Sequence, residues 1–253
     1  MNGKTLRLRR LFPPEGPRLF SVPLDHSLSL GPIEGLEDLG RTVSALQSEG
    51  VRLVIVHKGA APRIAPVLDP GTLLGIHLSA STAMAPEGEP KRLTGTVREA
   101  IRLGADLVSL QVNFGGPSEG AMVEDFARIS SEAEELGLPV LCMAYVKRKG
   151  HENDPELLAH ACRAAADLGA DIVKTNFPGA EGFRRMVRGT PAPLLFGGGP
   201  KADREEDFLQ VVREALDAGA QGICVGRNLF QSRDLPRLAR EIRGLLGAPG
   251  GHD

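Results

Sequence analysis

The chain has 253 residues, a length that suits either one large domain or two small ones. Hydrophobic residues make up 42% of the sequence and charged residues 25%, close to the average for soluble globular proteins, so neither disorder nor membrane insertion is expected. The formal net charge is -2, which does not provide the basic surface that nucleic-acid binding requires. We therefore expect a globular protein whose partner is a small molecule, with no nucleic acid and no membrane.

The N-terminal sequence MNGKTLRLRRLF is basic but too poor in apolar residues for a signal peptide. The sequence contains no run of ~18 apolar residues that would form a transmembrane helix, so we expect a cytoplasmic protein. Cys142, Cys162 and Cys224 show no C-x-x-C spacing and lie in apolar surroundings. They are predicted to be buried free thiols.

One pattern recurs along the chain: a helical stretch ends in glycine and is followed by a short apolar run. Glycine adopts the left-handed conformation beyond a helix end at little cost, and an apolar run rich in Val, Ile and Leu is typical of a parallel strand buried on both faces. The pattern therefore predicts a repeated helix–glycine–strand unit. Its glycines are Gly50, Gly104, Gly137, Gly169, Gly189 and Gly219.

Eight such apolar runs can be counted, and amphipathic stretches predict helices between them. Eight alternations favour a single-domain (β/α)8 barrel over residues 1–253, with residues 1–17 as an N-terminal extension and 247–253 as a frayed tail. An open doubly wound sheet is the alternative, but the G-x-G-x-x-G signature is missing after the first strand. The runs are LFSVPLDH, RLVIVHKG, LLGIHLS, DLVSLQVNF, PVLCMAYV, DIVKTNF, PLLFGGG and GICVGRN, and the predicted helices include 119–136, 155–168, 204–218 and 234–246.

A lysine near the end of the sixth run is the sharpest chemical signal. Active sites of such barrels lie at the carboxyl ends of the strands, and Lys174 follows Asp-Ile-Val in a buried strand. A buried amine with a lowered pKa is a nucleophile toward carbonyl groups, whereas a simple ion pair at the barrel mouth is an equally good interpretation. Lys58, after Val-Ile-Val-His, is a rival in the same kind of position, and ion pairing or phosphate contact suits it better.

Two other strand-end residues could move protons. Tyr145 ends the run PVLCMAY and is a candidate general acid or base. A lone tyrosine at a strand end more often packs its ring against apolar residues and leaves its hydroxyl in water. Asp25 follows the first run and could accept a proton from a substrate hydroxyl, or instead orient His26 or pair with a lysine. His57 and His77 could bind a metal only with a third ligand, which no recognised spacing supplies. No metal or cofactor is therefore expected.

Two glycine-rich loops follow the seventh and eighth runs, where barrels commonly bind phosphate with backbone N–H groups and helix N-termini. Three consecutive glycines before a proline exceed the needs of one turn, and Arg227 could contact phosphate oxygens. The sequence thus favours a phosphate site over simple tight turns. Its candidate residues are Gly198, Gly199, Gly226 and Arg227, with His26 and Lys58 as further substrate contacts.

Taken together, several motifs resemble one known family, the lysine-dependent aldolases of the archaeal fructose-bisphosphate aldolase and aminodideoxyheptulosonate synthase type. The resemblance runs from about residue 8 to 246. It implies Lys174 as the Schiff-base residue, Tyr145 as proton donor and Asp25 as the acid/base on the alcohol. It also implies a homo-oligomer, often a decamer. The motifs are VPLDHS, GPIEGLEDL, VHKG, HLSAST, REAIRLGADLVSLQVNFG, DPELLAHACRAAADLGADIVKT, GGGPKAD and GAQGICVGRNLFQ.

Within this family, the likeness is greatest to the branch that joins a ketose-phosphate fragment to aspartate semialdehyde. Dihydroxyacetone phosphate is the expected donor. The chain departs from relatives where Val146 to Gly150 replaces Pro-Arg-Gly, and where Phe177 replaces a frequent tyrosine. These departures leave the imine chemistry intact and concern the specificity for the acceptor. A fructose-1,6-bisphosphate aldolase, a phosphosugar isomerase and a non-catalytic phosphosugar sensor are the alternatives.

Overall fold

The eight apolar runs form the eight strands of a closed parallel barrel in the computed structural model, which describes residues 3–86 and 90–247. Each strand pairs with the next along the chain, and the last pairs with the first. The (β/α)8 prediction is confirmed, and the open doubly wound sheet is excluded. The strands are β1 (Leu19–Pro23), β2 (Leu53–His57), β3 (Leu73–His77), β4 (Leu107–Phe114), β5 (Val140–Val146), β6 (Ile172–Thr175), β7 (Leu194–Gly197) and β8 (Gly222–Cys224).

Helices surround this barrel, and the four predicted long helices are confirmed to within a residue or so at their ends. A short antiparallel ribbon, Ser79–Ala80 paired with Arg92–Leu93, follows β3 and was not predicted. The helices are α1 (Gly3–Leu11), α2 (His26–Leu30), α3 (Leu39–Ser48), α4 (Ala61–Ile64, continued by a 3-10 turn at Ala65–Val67), α5 (Val97–Arg102), α6 (Glu119–Glu135), α7 (Pro155–Asp167), α8 (Ala180–Gly189), α9 (Glu205–Asp217), α10 (Arg227–Phe230) and α11 (Leu235–Leu246).

Local sequence signals fix where several helices begin. The Asp154 carboxylate accepts hydrogen bonds from two backbone N–H groups in the first turn of α7, and Pro155 follows directly. In α5, Thr96 and Glu99 form a reciprocal capping box. These caps satisfy N–H groups that have no partner within the helix, so the helices start at the positions that the sequence indicates.

The repeated Gly-Ala-Asp sequence sets the register at the bottom of the barrel. Asp106 accepts a hydrogen bond from the Leu74 backbone N–H at 3.0 Å, and Asp171 accepts one from Val140 at 2.9 Å. Each carboxylate thereby links the start of its own strand to the neighbouring strand.

Five of the six predicted helix-ending glycines have a positive φ, between 68° and 103°. The prediction for Gly189 is wrong, because Gly189 is the last residue of α8 and does not adopt a positive φ. The chain instead becomes extended at Thr190, with φ -115° and ψ 119°. Thr190 precedes Pro191, and a residue before proline favours the extended region.

The apolar core has two layers, one inside the barrel and one between the strands and the outer helices. Inside, Leu11 of α1 packs with strand residues such as Leu53 and Leu141, so α1 closes the bottom of the barrel. The Lys4 amine, buried there, forms ion pairs with Glu134 at 2.6 Å and Asp171 at 2.9 Å. Part of the predicted extension is thus packed against the barrel.

The predicted frayed tail, 247–253, lies outside the described residues except for Gly247. Within residues 3–86 and 90–247, no helix is long and apolar enough to cross a membrane. The three cysteines are buried free thiols, as predicted.

Candidate active site

Lys174 projects into the barrel near the carboxyl ends of the strands. Successive strand residues point to opposite faces, and Ile172 belongs to the interior cluster, so Lys174 also faces inward. It lies in register between Met143 on β5 and Leu195 on β7. Its side chain is buried, with 6% of the residue surface exposed. The sixth strand therefore positions one amine inside an apolar barrel.

Three groups that can lose a proton surround the Lys174 amine, namely Tyr145, Cys224 and Asp25. Only Asp25 is ionised at neutral pH. Tyr145 and Cys224 share side-chain hydrogen bonds with Lys174, and no described carboxylate lies within ion-pairing distance of the amine. Burial lowers the pKa of Lys174, yet Cys224, Tyr145 and Asp25 raise it, and the net direction is upward. Neither of the two interpretations that the sequence left open, a lowered amine pKa or a simple ion pair, is therefore supported.

Burial raises the pKa values of the Tyr145 phenol and the Cys224 thiol, although Lys174 opposes this in both cases. Both groups are therefore protonated at neutral pH. A neutral phenol beside an amine can donate a proton to a leaving hydroxyl group.

Asp25 supplies the negative charge of the site. It stands immediately after β1, between His26 and His77, with its oxygens 3.4 Å from His26 Nδ1 and 3.7 Å from His77 Nε2. Burial opposes ionisation of this carboxyl, but His77, His26 and Lys174 lower its pKa to about 2. Asp25 is consequently a carboxylate throughout the physiological range.

The imidazoles beside Asp25 are neutral. Burial lowers the pKa of both His26 and His77 to about 4, against the opposing effect of Asp25. His57 Nδ1 lies 3.2 Å from the His77 carbonyl oxygen, which can only accept, so Nδ1 carries a proton. His77 Nδ1 lies 2.8 Å from the Ser109 hydroxyl. His26, His57 and His77 therefore form an uncharged side of the cavity.

Asn228 links the two glycine-rich loops through three hydrogen bonds. Its amide nitrogen donates to the carbonyl oxygens of Gly198 at 2.9 Å and Pro200 at 3.0 Å, and its amide oxygen accepts from Ala202 N at 2.7 Å. Gly199 has a φ of +63°, which favours glycine. A Cβ at position 226 would approach the His26 ring to 2.7 Å, so glycine is needed there for space.

Arg227 begins α10 at the edge of these loops. One Nη donates to the Gly199 carbonyl at 3.1 Å, whereas the buried Nε has no hydrogen-bond partner within the described part of the chain. An unpartnered buried guanidinium nitrogen is costly, and an anion would satisfy it. The site thus offers a cation and a glycine loop to one anionic group.

These residues line a cavity at the barrel mouth that has two lobes. The imidazole lobe, of ≈ 370 Å³, contains Asp25, His57, His77 and Lys91. The glycine lobe, of ≈ 350 Å³, contains Gly198, Gly199, Gly226 and Asn176. Residues that line both lobes mark the place where they meet. They are His26, Gln111, Tyr145, Lys147, Lys174 and Arg227.

Three other cavities, of ≈ 530, ≈ 550 and ≈ 420 Å³, lie elsewhere among the described residues, and each is larger than either lobe alone. The first lies in a largely apolar groove between α6 and α7, and the other two lie at the bottom of the barrel, beside α1 and beside Arg52. None of the three brings a buried amine, carboxylate and phenol together. We therefore place the chemistry in the cavity at the mouth.

Most of the predicted site residues converge there, namely Asp25, His26, Tyr145, Lys174, Gly198, Gly199, Gly226 and Arg227. Lys58 does not line either lobe, and its amine lies 3.3 Å from Glu99 Oε1. Because His57 faces inward, the next residue turns outward, which suits the ion-pair interpretation of Lys58. Phe177 packs against Phe183 and Phe196 and does not line the cavity either.

Several cavity residues were not identified as site residues from the sequence. Gln111 could have been found from strand alternation, since it lies two residues beyond Ser109 on β4. Lys147 was noted only as a departure from relatives. Lys91 reaches the cavity from the end of a ribbon that no periodicity signalled. Among the described residues, no group of three His, Cys, Asp or Glu side chains could hold a metal ion.

Comparison with known proteins agrees with this geometry. The chain matches the model of the DeoC/LacD family aldolase over residues 19–232. It is 42% identical over 233 residues to the 2-amino-3,7-dideoxy-D-threo-hept-6-ulosonate synthase of Halobacterium salinarum, covering 90% of this chain and 86% of that one. It is 37% identical over 250 residues to the 2-amino-4,5-dihydroxy-6-oxo-7-(phosphonooxy)heptanoate synthase of Streptomyces griseus, covering 98% and 91%.

Among solved structures, an archaeal fructose-1,6-bisphosphate aldolase with its catalytic Lys bound to the carbinolamine intermediate is similar, with a TM-score of 0.87 and 30% identity. The similarity covers 96% of this chain and 99% of that one. The predicted resemblance is confirmed, and the chain is an enzyme of the class I aldolase type. It belongs to the DeoC/LacD family of aldolases.

Proposed function

We propose that this enzyme forms a carbon–carbon bond between dihydroxyacetone phosphate, or a related ketose-phosphate donor, and aspartate semialdehyde, through a Schiff base on Lys174. The product is a seven-carbon amino-sugar-acid phosphate. The observation that carries the proposal is the position of the Lys174 amine, which lies where the imidazole lobe and the glycine lobe meet. A ketone held there has room for a phosphate on one side and an aldehyde on the other.

The glycine lobe is the proposed site of the donor phosphate. Gly198, Gly199 and Gly226 allow a close approach to the backbone, and Arg227 has an unpartnered buried Nε. A phosphate accepts hydrogen bonds from both kinds of donor. This contact would hold the ketone carbon near the Lys174 amine.

In the first step, the Lys174 ammonium gives up one proton to Asp25 or to a water at its carboxylate, and the free amine forms a C–N bond with the ketone carbon. A second proton moves from the nitrogen to the carbonyl oxygen, which becomes the hydroxyl of a carbinolamine. Tyr145 protonates that hydroxyl, which leaves as water while the C=N bond forms. The iminium carries the same positive charge as the original ammonium. Asp25, the ionised group among those that raise the pKa of Lys174, therefore stabilises the iminium as well as the ammonium.

In the second step, the resulting Tyr145 phenolate removes a proton from the carbon beside the iminium, which yields an enamine. The enamine carbon attacks the aldehyde carbon and forms the new C–C bond. The aldehyde oxygen receives the proton that Lys174 released earlier, carried by Asp25 or by a water at its carboxylate. Water then adds to the iminium, and the amine leaves with the ketone restored.

Borohydride trapping tests the Schiff base. We expect dihydroxyacetone phosphate plus borohydride to add a stable mass to the peptide that contains Lys174. Lys174→Arg should abolish trapping with the fold retained, whereas Lys58→Gln, the matched control, should trap normally. An adduct on Lys58, or none in the unchanged protein, would refute the assignment.

A product assay with paired donors and acceptors tests the substrates. The Streptomyces griseus relative is named for a product whose seven carbons correspond to a three-carbon ketose phosphate plus a four-carbon amino-acid aldehyde. Cleavage of fructose-1,6-bisphosphate is the second candidate, because a solved aldolase of that specificity is similar over nearly the whole chain. Faster turnover with glyceraldehyde 3-phosphate than with aspartate semialdehyde would favour that second candidate.

We also propose that the enzyme is a homo-oligomer, up to a decamer, on the strength of its resemblance to the family. Sedimentation velocity at micromolar concentration would test this. A species with the mass of a single chain, 26.9 kDa, would refute it.

A further inference from the structure

We propose that Lys91 and Lys147 form a subsite for the oxyanion group at the far end of the aldehyde acceptor. This inference rests on the proposed function, because it assigns the imidazole lobe to the acceptor. The chemistry recognised is an oxyanion, which the carboxylate of an amino-acid aldehyde or the phosphate of a sugar aldehyde could supply.

The two lysines reach one cavity from separate parts of the fold. Lys147 comes directly after β5, where its backbone N–H donates to the Phe114 carbonyl at 2.8 Å. Lys91 comes just before the Arg92–Leu93 strand of the ribbon that follows β3. Both line the imidazole lobe together with Lys174. Two cations from different elements therefore flank the space into which an aldehyde would enter.

The segment around Lys91 is held in place by α2. The Lys91 amine donates to the Ser29 hydroxyl at 3.3 Å, and that hydroxyl donates to the Ser81 carbonyl at 2.8 Å. The Ser29 carbonyl in turn accepts the Ala83 N–H at 2.8 Å. These bonds fix the rim of the lobe, so the Lys91 amine is positioned before any ligand binds.

The charges of the lobe are unbalanced. No carboxylate in the described residues lies within ion-pairing distance of Lys91 or Lys147, and the lobe's histidines are neutral. The one carboxylate that lines the lobe, Asp25, lies beside His26 and His77. Burial lowers the pKa of Lys91, Asp25 opposes this, and Lys147 lowers it further, which indicates that the two ammonium groups repel each other. An oxyanion between them would relieve that repulsion.

The arrangement also separates the two ends of the reactants. A phosphate on the glycine loops and Arg227 occupies one lobe, and a second anion on Lys91 occupies the other. Lys147, Lys174 and Arg227 line both lobes, so Lys147 reaches the second anion from the junction. An acceptor bound in this way directs its aldehyde toward the enamine. Charge pairing at the far end thus contributes to orientation as well as to affinity.

The test is acceptor kinetics with Lys91→Gln, Lys147→Gln and the double variant, measured at saturating dihydroxyacetone phosphate. We expect the KM for aspartate semialdehyde to rise about tenfold for each lysine removed. With 3-aminopropanal, which lacks the carboxylate, the variants should match the unchanged protein. Lys147→Arg should retain the KM, and the exposed Lys149→Gln is the matched control. The same series with glyceraldehyde 3-phosphate shows whether the subsite takes carboxylate, phosphate or both.

Borohydride trapping of the donor on Lys174 separates failure of the subsite from failure of the proposed reaction. An unchanged KM in every variant, or an equal loss with 3-aminopropanal, would overturn the subsite while normal trapping left the reaction standing. If the unchanged protein traps no donor, the binding of L-homoserine, measured by calorimetry, tests the subsite on its own. L-homoserine is an unreactive analogue of aspartate semialdehyde that keeps the carboxylate. Weaker binding by both glutamine variants supports the subsite, and unaltered or undetectable binding refutes it.

Discussion

Gly197 on β7 lies directly against the side chain of Lys174 on the neighbouring strand. A Cβ at position 197 would lie 3.2 Å from Lys174 Cε, 3.5 Å from its Cγ and 2.9 Å from the Thr175 carbonyl oxygen. The first of the glycines in this loop therefore has a different role from Gly198 and Gly199, which we propose contact phosphate. Its missing side chain provides the channel along which the lysine reaches the mouth of the barrel.

Replacing this glycine should displace the nucleophile. Gly197→Ala places a methyl group against rigid backbone, so we expect the free energy of unfolding to fall by about 1–3 kcal/mol. A displacement of about 1 Å at the amine should slow imine formation roughly 100-fold, measured by borohydride trapping against time. Gly120→Ala, on the exposed face of α6 with no atom near the added Cβ, is the matched control. Equal trapping rates for the two variants would contradict this role of Gly197.

Removing the phenol should impair proton transfer while leaving the nucleophile in place. We expect Tyr145→Phe to keep the fold, because the ring remains, and to slow enamine formation by roughly 10²- to 10⁴-fold. The measurement is exchange of the donor's carbon-bound hydrogen in D₂O, followed by NMR. Long incubation with borohydride should still label Lys174. Exchange at the rate of the unchanged protein would show that another group carries the proton.

The barrel and most of the residues that meet at the candidate site could be predicted from the sequence, for one physical reason. A strand buried on both faces is a continuous apolar run, so a polar residue at its carboxyl end, such as Lys174 or Asp25, stands out. Glycines that end helices marked the start of most strands. The prediction for Gly189 was wrong because Pro191 favours an extended conformation at Thr190. The chain therefore leaves the helix without a glycine in the left-handed region.

The remainder of the site depends on packing between distant segments. Lys58 and Lys174 have similar local sequences, and only the inward direction of His57 and the presence of Glu99 turn Lys58 away from the cavity. Lys91 reaches the cavity from a ribbon of two-residue strands, too short to show periodicity. The sequence also could not predict the direction in which the pKa of Lys174 shifts. That direction depends on Asp25, Tyr145 and Cys224, which the fold brings together around one amine.

Acid should destabilise the enzyme partly through His77. Its pKa in the fold is lowered from 6.5 to about 4 by burial, so the unfolded chain takes up a proton first as the pH falls. The stabilisation is fully present above pH 6.5 and is lost toward pH 4. At ~1.4 kcal/mol for each pH unit, the loss amounts to about 3 kcal/mol.

His77→Asn removes this titration and keeps a hydrogen-bonding group near Ser109. Urea unfolding at several pH values should show the stability advantage of the unchanged protein over this variant shrinking between pH 6.5 and 4. Gln210→Ala, which removes an exposed group that does not titrate, is the control and should run parallel to the unchanged protein. A constant difference between the unchanged protein and His77→Asn would contradict the prediction.

Asn228 should act on donor affinity through the loop it holds. Asn228→Ala leaves the carbonyls of Gly198 and Pro200 and the N–H of Ala202 without this partner, so we expect a loss of about 1–3 kcal/mol in unfolding free energy. A loosened loop should raise the KM for dihydroxyacetone phosphate about tenfold. Because Asn228 does not line the cavity, kcat at saturating donor should change little, whereas a group acting on the reacting atoms would lower it. Gln210→Ala, on the exposed face of α9, controls for loss of a surface amide. A fall in kcat with unchanged KM would mean that Asn228 serves the chemistry and not the phosphate loop.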